Sequence, residues 1–331
     1  MQTFEDDAAS PVLHVAVVAI TYRRPHGLAK LLRALEGQVA PERGPFFRLS
    51  AVVVDNDRAA SAAAVVKRFE HSLTLPIRYV VEFEQGIPLA RNTGIASLPE
   101  DADFLCFIDD DEWPGTTWIA ELLKTQRATG AECVHGAVIP VYPDGAPRWL
   151  RKSRIFESWD FPDQAMLREA ASNNVMISTA FMRRTGHRFD ERMRMTGGSD
   201  YLFFQQAVAL GMRIVWSAAA PVYEEVPASR MTLRWVAQRQ YRLGNTFSLS
   251  ERLAGTRTGL VKWVLKGLAR MGLGAVMLPL LLFSPYYGMR AIRHLLRGAG
   301  TVAGAFGHIH EEYSPKGLAR DRGIEANRRA A

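Results

Sequence analysis

The sequence predicts an α/β fold: an open, mostly parallel sheet flanked by helices, carrying a basic, helical C-terminal extension. Three observations predict it. Near-continuous β-branched apolar runs alternate with segments of helical spacing between residues 12 and 113, as expected of strands buried on both faces of a parallel sheet. Acidic residues close two of those runs. From Val226 onward the chain holds 17 Lys and Arg against 5 Asp and Glu, whereas residues 1–225 hold 24 against 29.

The first strand is read at "VLHVAVVAI", Val12 to Ile20. The helix "PHGLAKLLRALEGQ" follows, with Leu28, Leu31, Leu32 and Leu35 at helical spacing and Gly37 as its stop. "RLSAVVVDND" is a second buried strand ending in acids, and "SAAAVVKRFEH" a second helix. "IRYVVEFE", "PLARNTGIAS" and "DFLCFIDDD" read as a third strand, a third helix start and a fourth strand. Strand and helix alternate, which argues for the open sheet. Ligands of such sheets bind beyond the carboxyl ends of the strands, where Thr21, Asp55 and Asp109 all fall.

The middle of the chain is less regular. It contains a helix ("TTWIAELLKTQRATG"), a short strand ("CVHGAVIPVY"), a Pro- and Trp-bearing loop ("PDGAPRWLRKSR") and the polar-to-apolar stretch "ASNNVMISTAFM". The expected divisions are a disordered 1–11, a nucleotide-binding half at 12–113, an acceptor-binding half at 114–225 and the basic extension at 226–331. With 331 residues, 48% of them hydrophobic, the chain can bury a core and is not of the disordered class. Its two cysteines, Cys106 and Cys133, lack metal-type spacing, and Cys106 lies inside an apolar run, where a buried reduced thiol is expected. "MQTFEDDAAS" carries no apolar stretch of the signal-peptide kind, so a cytoplasmic site of action is expected.

Five pieces in order resemble the family 2 glycosyltransferases and their GT-A fold: "AITYRRP", "VVVDND", "GIPLARNTGI", "FIDDDEWP" and "GGSDYLFF". The resemblance covers about residues 12–225. It implies a nucleotide-diphosphate sugar donor, UDP being the commoner nucleotide, and a glycan or lipid-linked acceptor. It also implies inverting transfer assisted by Mn²⁺ or Mg²⁺.

The chemistry of the residues runs beside that resemblance. A breaking glycosidic bond leaves growing charge on a diphosphate, which a divalent cation stabilises as a Lewis acid. Hard cations take oxygen ligands, and Asp109 and Asp111 at D-x-D spacing point to one face at a strand's end. Those two are the expected metal ligands, with Asp110 between them on the nucleotide. The plain alternative is a solvated acidic loop.

The family's pattern implies that Asp55 meets the base or ribose, the alternative being an N-cap for the next helix. It places Thr21 and Tyr22 in the same base pocket. Arg91 matches the arginine of the family's "ARN-x-G" motif among nucleotide and aspartates, against the alternative of a surface helix charge. Asp200 matches the catalytic base, which deprotonates the acceptor hydroxyl, and Gly197 and Gly198 before it allow close approach to substrate. Ser199 stands where the family often has Glu, and an N-cap for "YLFFQQAVAL" is the other reading of Asp200. Asn173 and Asn174 are expected near the acceptor. Trp149 and Trp159 offer faces for sugar rings, although tryptophans also serve simply as core.

The tail needs an anionic partner. Lys262, Lys266 and Arg270 form one helical stripe, with Val261, Val264, Leu265 and Leu268 opposite, and Arg290, Arg293 and Arg297 form another. "GAVMLPLLLFSPYYG" is apolar but only about fifteen residues, against about twenty needed to span a bilayer. Together with Tyr286 and Tyr287 these describe an anchor lying on an anionic membrane surface at the inner face of the cell membrane. A buried helical hairpin over the catalytic domain is the alternative. "HIH" at 308–310 reads as surface.

Three rival functions remain. A nucleotidyltransferase would show a Gly-rich, Lys-bearing loop after the first strand, which "TYRRPHG" matches poorly. Nucleic-acid binding would need aromatic interleaving that the tail lacks, so no nucleic-acid partner is expected. A sugar-nucleotide binder without catalysis is the third.

Overall fold

A computed structural model describes residues 12–40, 46–157, 159–194, 196–253 and 257–308. The segment 1–11, expected to be disordered, and His310 of "HIH" lie outside them. The chain divides into two compact units: residues 1–139, 158–189 and 203–224, and residues 140–157, 190–202 and 225–331.

The first unit carries the sheet. Its strands are β1 (Leu13–Thr21), β2 (Phe47–Asp55), β3 (Ile77–Val81), β4 (Phe104–Asp109), β5 (Glu112–Pro114), β6 (Cys133–Val141), β7 (Met166–Leu167), β8 (Asn174–Ser178) and β9 (Ile214–Glu225). The order is β3-β2-β1-β4-β8-β6-β9-β5, with β7 beside β9. β3, β2, β1 and β4 are parallel, as the βαβ alternation requires. β8 lies antiparallel to both β4 and β6, and β9 antiparallel to β5 and β7. The sheet is therefore mixed.

The helices of this unit are α1 (Pro25–Glu36), α2 (Ala63–Glu70), α3 (Ile87–Ala96) and α4 (Trp118–Thr129). α1 buries the expected Leu28, Leu31, Leu32 and Leu35 and packs with Val15, Val17 and Val53 of the sheet in one core. A second core gathers Val18, Val52, Phe107, Phe203 and Trp216. Cys106 and Cys133 are free, buried thiols, and burial pushes both well above their ordinary range.

A short helix, α5 (Arg148–Ser153), forms where the sequence suggested a loop. Its Leu150 is fully buried with Val236 and Met289, which draws the segment into the second unit. "ASNNVMISTAFM" resolves into β8 and then α6 (Thr179–Thr185), whose N-cap Ser178 accepts from the Phe181 amide. α7 (Ser199–Ala209) begins in the second unit, where Met193 and Leu202 pack on Leu249. Of the segment 114–225, expected as one half of the sheet domain, 140–157 and 190–202 fall outside the first unit. Apolar contacts with the C-terminal helices place 140–157 and 190–202 with them instead.

Those helices are α8 (Leu233–Leu253), α9 (Arg257–Met277), a 3₁₀ turn (Leu278–Leu282) and α10 (Pro285–Ala305). Val261, Leu265 and Leu268, expected opposite the cationic stripe, are exposed, while Trp263 and Gly267 face inward. The apolar run is also longer than the sequence count of about fifteen. Gly259–Leu282, 24 residues with mean hydropathy 1.5 in its most apolar window, is long and apolar enough to cross a membrane by length and composition.

Candidate functional site

Strand register builds the site. Thr21 is level with Asp55 on β2, and Ile20 with Asp109 on β4, so the ends of β1, β2 and β4 share one edge. After β4 the chain turns within two residues into β5, and the Asp109 amide donates to Glu112 Oε2 at 3.1 Å across that turn. Four acids are thereby concentrated at the end of a core strand.

Arg24, not foreseen from the sequence, reaches into the cluster from the residue before α1. Its Nη1 donates to Asp111 Oδ2 at 2.7 Å and to Asp110 Oδ1 at 3.1 Å. Burial disfavours its charge, but Asp111 and Asp110 outweigh that and raise its pKa. Gly27 permits the approach of α1, because a Cβ there would lie 2.3 Å from the Asp110 carbonyl oxygen. Thr21 Oγ1 donates to Asp110 Oδ2 at 2.7 Å and is itself 3% exposed. Asp110 is thus held from two sides, yet burial and Asp111 raise its pKa to about 6 against the pull of Arg24. Glu112, fully enclosed, is pushed well above the carboxylate range by burial and by Asp109, Asp111 and Glu224. Glu224 is its antiparallel partner on β9.

Arg91 lies beside Asp109. It is 5% exposed, its Nη2 lies 3.8 Å from Asp109 Oδ1, and its guanidinium covers the Phe189 ring. The reading of a surface helix charge is overturned by that burial. Asp109 and Asp111 keep partly exposed carboxylates, at 39% and 27%. Their all-oxygen donor set suits Mg²⁺ or Mn²⁺, and the crowding that raises Asp110 and Glu112 is what a divalent cation relieves. Among the described residues no group of three or more His, Cys, Asp or Glu is gathered around a common point, so the protein's share of such a site would be these two carboxylates.

Asp55 requires correction. It is fully buried, and its carboxylate accepts from the amides of Asp57 (3.0 Å) and Ala62 (2.7 Å) and from the Tyr79 hydroxyl (2.9 Å). It clasps the loop leading into α2, in the manner of the capping alternative, rather than offering oxygens to a base. Asp57 accepts from Arg23 Nε at 2.8 Å, and that bond holds its pKa below the usual range. Tyr22 is half-buried at the same edge, with the Arg23 guanidinium 5.0 Å from its ring centroid.

Asn173 and Asn174 part company. Asn173 Nδ2 donates to Glu112 Oε1 at 3.0 Å, which joins it to the acid cluster. Asn174 is fully buried, accepts from Trp118 Nε1 (2.8 Å) and donates to the carbonyls of Ala137 and Ala220 (each 2.8 Å). Its amide is consumed in bracing β6, β9 and α4, so it is not an acceptor ligand. Trp149 is half-buried and packs against the Leu150, Val236 and Met289 cluster of the second unit. Trp159 is 38% exposed, and with Phe161, Met166, Leu167, Arg168 and Glu169 it lines a cavity of about 200 Å³ in the first unit.

Asp200 lies in the second unit, in the first turn of α7. The helix starts at Ser199, so Asp200 is its second residue and not its N-cap. Gly197 and Gly198 before it have φ of +73° and +77°.

The chain matches the family model "Glycosyl transferase family 2" over residues 16–188, just over half its length. It belongs to that family. The chain is 35% identical to the succinoglycan biosynthesis protein ExoM of Rhizobium meliloti (strain 1021) over 247 residues, 74% of this chain and 78% of ExoM. It is 28% identical to the glycosyltransferase AglE of Haloferax volcanii over 40% of this chain and 41% of AglE. Among solved structures, S. aureus TarS 1–349 in complex with UDP-GlcNAc superposes with TM-score 0.50 at 16% identity, covering 89% of this chain and 93% of that one. The match spans only 55% of a longer TarS chain. The likeness in fold gives its sheet the GT-A architecture.

Proposed function

We propose that the chain catalyses inverting transfer of a sugar from a nucleotide-diphosphate sugar to a hydroxyl of a glycan or lipid-linked acceptor. The observation that carries this is the acid cluster at the carboxyl edge of β4, set between Arg24 and Arg91. UDP donors are the first to test, given the UDP-GlcNAc complex of TarS, and the likeness to ExoM points to polysaccharide assembly.

The residues divide the work. Asp109 and Asp111 would hold a Mn²⁺ or Mg²⁺, which would supply Lewis-acid stabilisation of the diphosphate. Arg91, buried against Phe189, brings a fixed guanidinium to the same oxygens. Arg24 keeps Asp110 and Asp111 oriented. Thr21 and Tyr22 line the edge where the nucleotide is expected, and Asn173 steadies Glu112. Asp200 accepts the proton of the attacking hydroxyl as it displaces the nucleotide from the opposite face.

We further propose that the C-terminal helices hold the enzyme on the inner, anionic face of the cell membrane. Exposed Leu265, Val276, Leu282 and Phe283, the last two above 80%, support this over the covering hairpin. A thermal-shift screen of nucleotide sugars with and without Mn²⁺ tests the donor reading. Metal-dependent stabilisation by one of them names the donor; no response to any would defeat the proposal.

A further inference from the structure

Within the second unit, α9 and α10 pack through close backbone contacts. A Cβ on Gly267 would meet the Gly298 oxygen at 3.0 Å, and one on Gly274 would meet the Ala291 oxygen at 2.8 Å. The two helices therefore run in opposite directions, and Arg270, between the two glycines of α9, falls level with the segment 291–298. On α10, Arg293 and Arg297 are four residues apart and share a face. α8 approaches the same level of α10, where Arg297 Nε donates to Gln240 Oε1 at 2.6 Å.

We propose that Arg270, Arg293 and Arg297 form a binding site for a phosphate-type anion. Arg270 Nη1 is buried and has no hydrogen-bond partner among the described residues. Among the described residues none of the three arginines forms an ion pair. Between Val226 and His308 the sequence has one acid, Glu251. It lies eleven residues along α8 from Gln240, about 16 Å on helical rise. Converging guanidiniums left without carboxylates carry an electrostatic cost that a bound anion removes, and their forked donors match phosphate oxygens. Burial and then Arg293, Arg270 and Arg239 push Arg297 down to about 9. Burial and then Arg270, Arg293 and Arg290 lower His294 on the same helix. Arg290 is engaged otherwise, donating to the Tyr286 hydroxyl at 3.1 Å.

The anion is a phosphate on a lipid headgroup or a free phosphate, and the inference stands on the second unit alone, whatever the donor. The test compares the full chain with Arg270→Gln/Arg293→Gln in two arms, both with EDTA to silence the metal site. One arm measures thermal stabilisation by inorganic pyrophosphate; the other measures sedimentation with phosphatidylcholine vesicles with and without phosphatidic acid. Lys262→Gln/Lys266→Gln removes the same charge from exposed positions on α9. Far-ultraviolet circular dichroism and the melting temperature without ligand show that each variant is folded, and Arg293→Gln alone serves if the double variant is not.

The expected result is wild-type binding in at least one arm, which names the source of the phosphate. The arginine variant should lose that binding by about ten-fold or more, while the lysine variant stays within about three-fold. Absence of wild-type binding in both arms, an arginine variant equal to wild type, or an equal loss in the lysine variant would overturn the site.

Discussion

Gly27→Ala sets two effects of opposite sign against each other. Gly27 is the third residue of α1. Taken as a helix position alone, Ala should stabilise by about 1 kcal/mol. The structure puts the new Cβ 2.3 Å from the Asp110 carbonyl oxygen, 3.3 Å from its carbonyl carbon and 3.7 Å from the Asp111 Cα. All three are backbone atoms of the acid turn and cannot rotate away. Restoring an ordinary contact requires a shift of about 1 Å in α1 or in the turn, at about 1–3 kcal/mol of overpacking. A 1 Å misplacement of a catalytic element costs on the order of 10²-fold in rate. The assay is kcat/KM for sugar transfer with donor affinity by calorimetry, alongside urea denaturation. We expect stability equal to wild type or up to about 2 kcal/mol lower, with kcat/KM down about 100-fold. A variant more stable by about 1 kcal/mol with normal kcat/KM would refute the reasoning, because it would show that α1 does not seat the acid turn.

Two further substitutions separate chemistry from architecture. Asp200→Asn keeps shape and hydrogen bonding while removing proton affinity, so transfer should fall roughly 10²–10⁴-fold at unchanged donor affinity; near-normal turnover would remove Asp200 from the mechanism. Asn174→Leu should lower stability by about 3 kcal/mol or more, since it orphans Trp118 Nε1 and the carbonyls of Ala137 and Ala220. A stable variant with weakened acceptor binding would return Asn174 to the acceptor site.

Much of the first unit was legible because strand and site share one pattern. The apolar runs ending at Thr21, Asp55 and Asp109 gave both the buried parallel strands and the edge where the acids collect. Arg91 was legible through its motif, since nothing in its local periodicity marks it as buried. Arg24 was not legible, because its partners are more than 80 residues away and are set by the crossover of β1 beside β4. Asp55 and Asn174 misled for a common reason. A polar residue at a strand end reads alike whether it serves a ligand or satisfies buried backbone groups. The tail's charge was visible in composition. Which of its apolar residues face outward depends on α9 meeting α10 through Gly267 and Gly298, a contact no single-helix pattern encodes.

The claim on which the account turns is that Asp109 and Asp111 assemble the donor site. The direct measurement is calorimetric titration of UDP into wild type and Asp111→Ala, each with Mn²⁺ and with EDTA. The account predicts tight binding to the wild type only with Mn²⁺, lost on adding EDTA. It predicts that the folded variant binds weakly and equally under both conditions, with a melting temperature at or near that of the wild type. Unchanged Mn²⁺-dependent affinity in Asp111→Ala would contradict it and would leave the acid turn as surface charge.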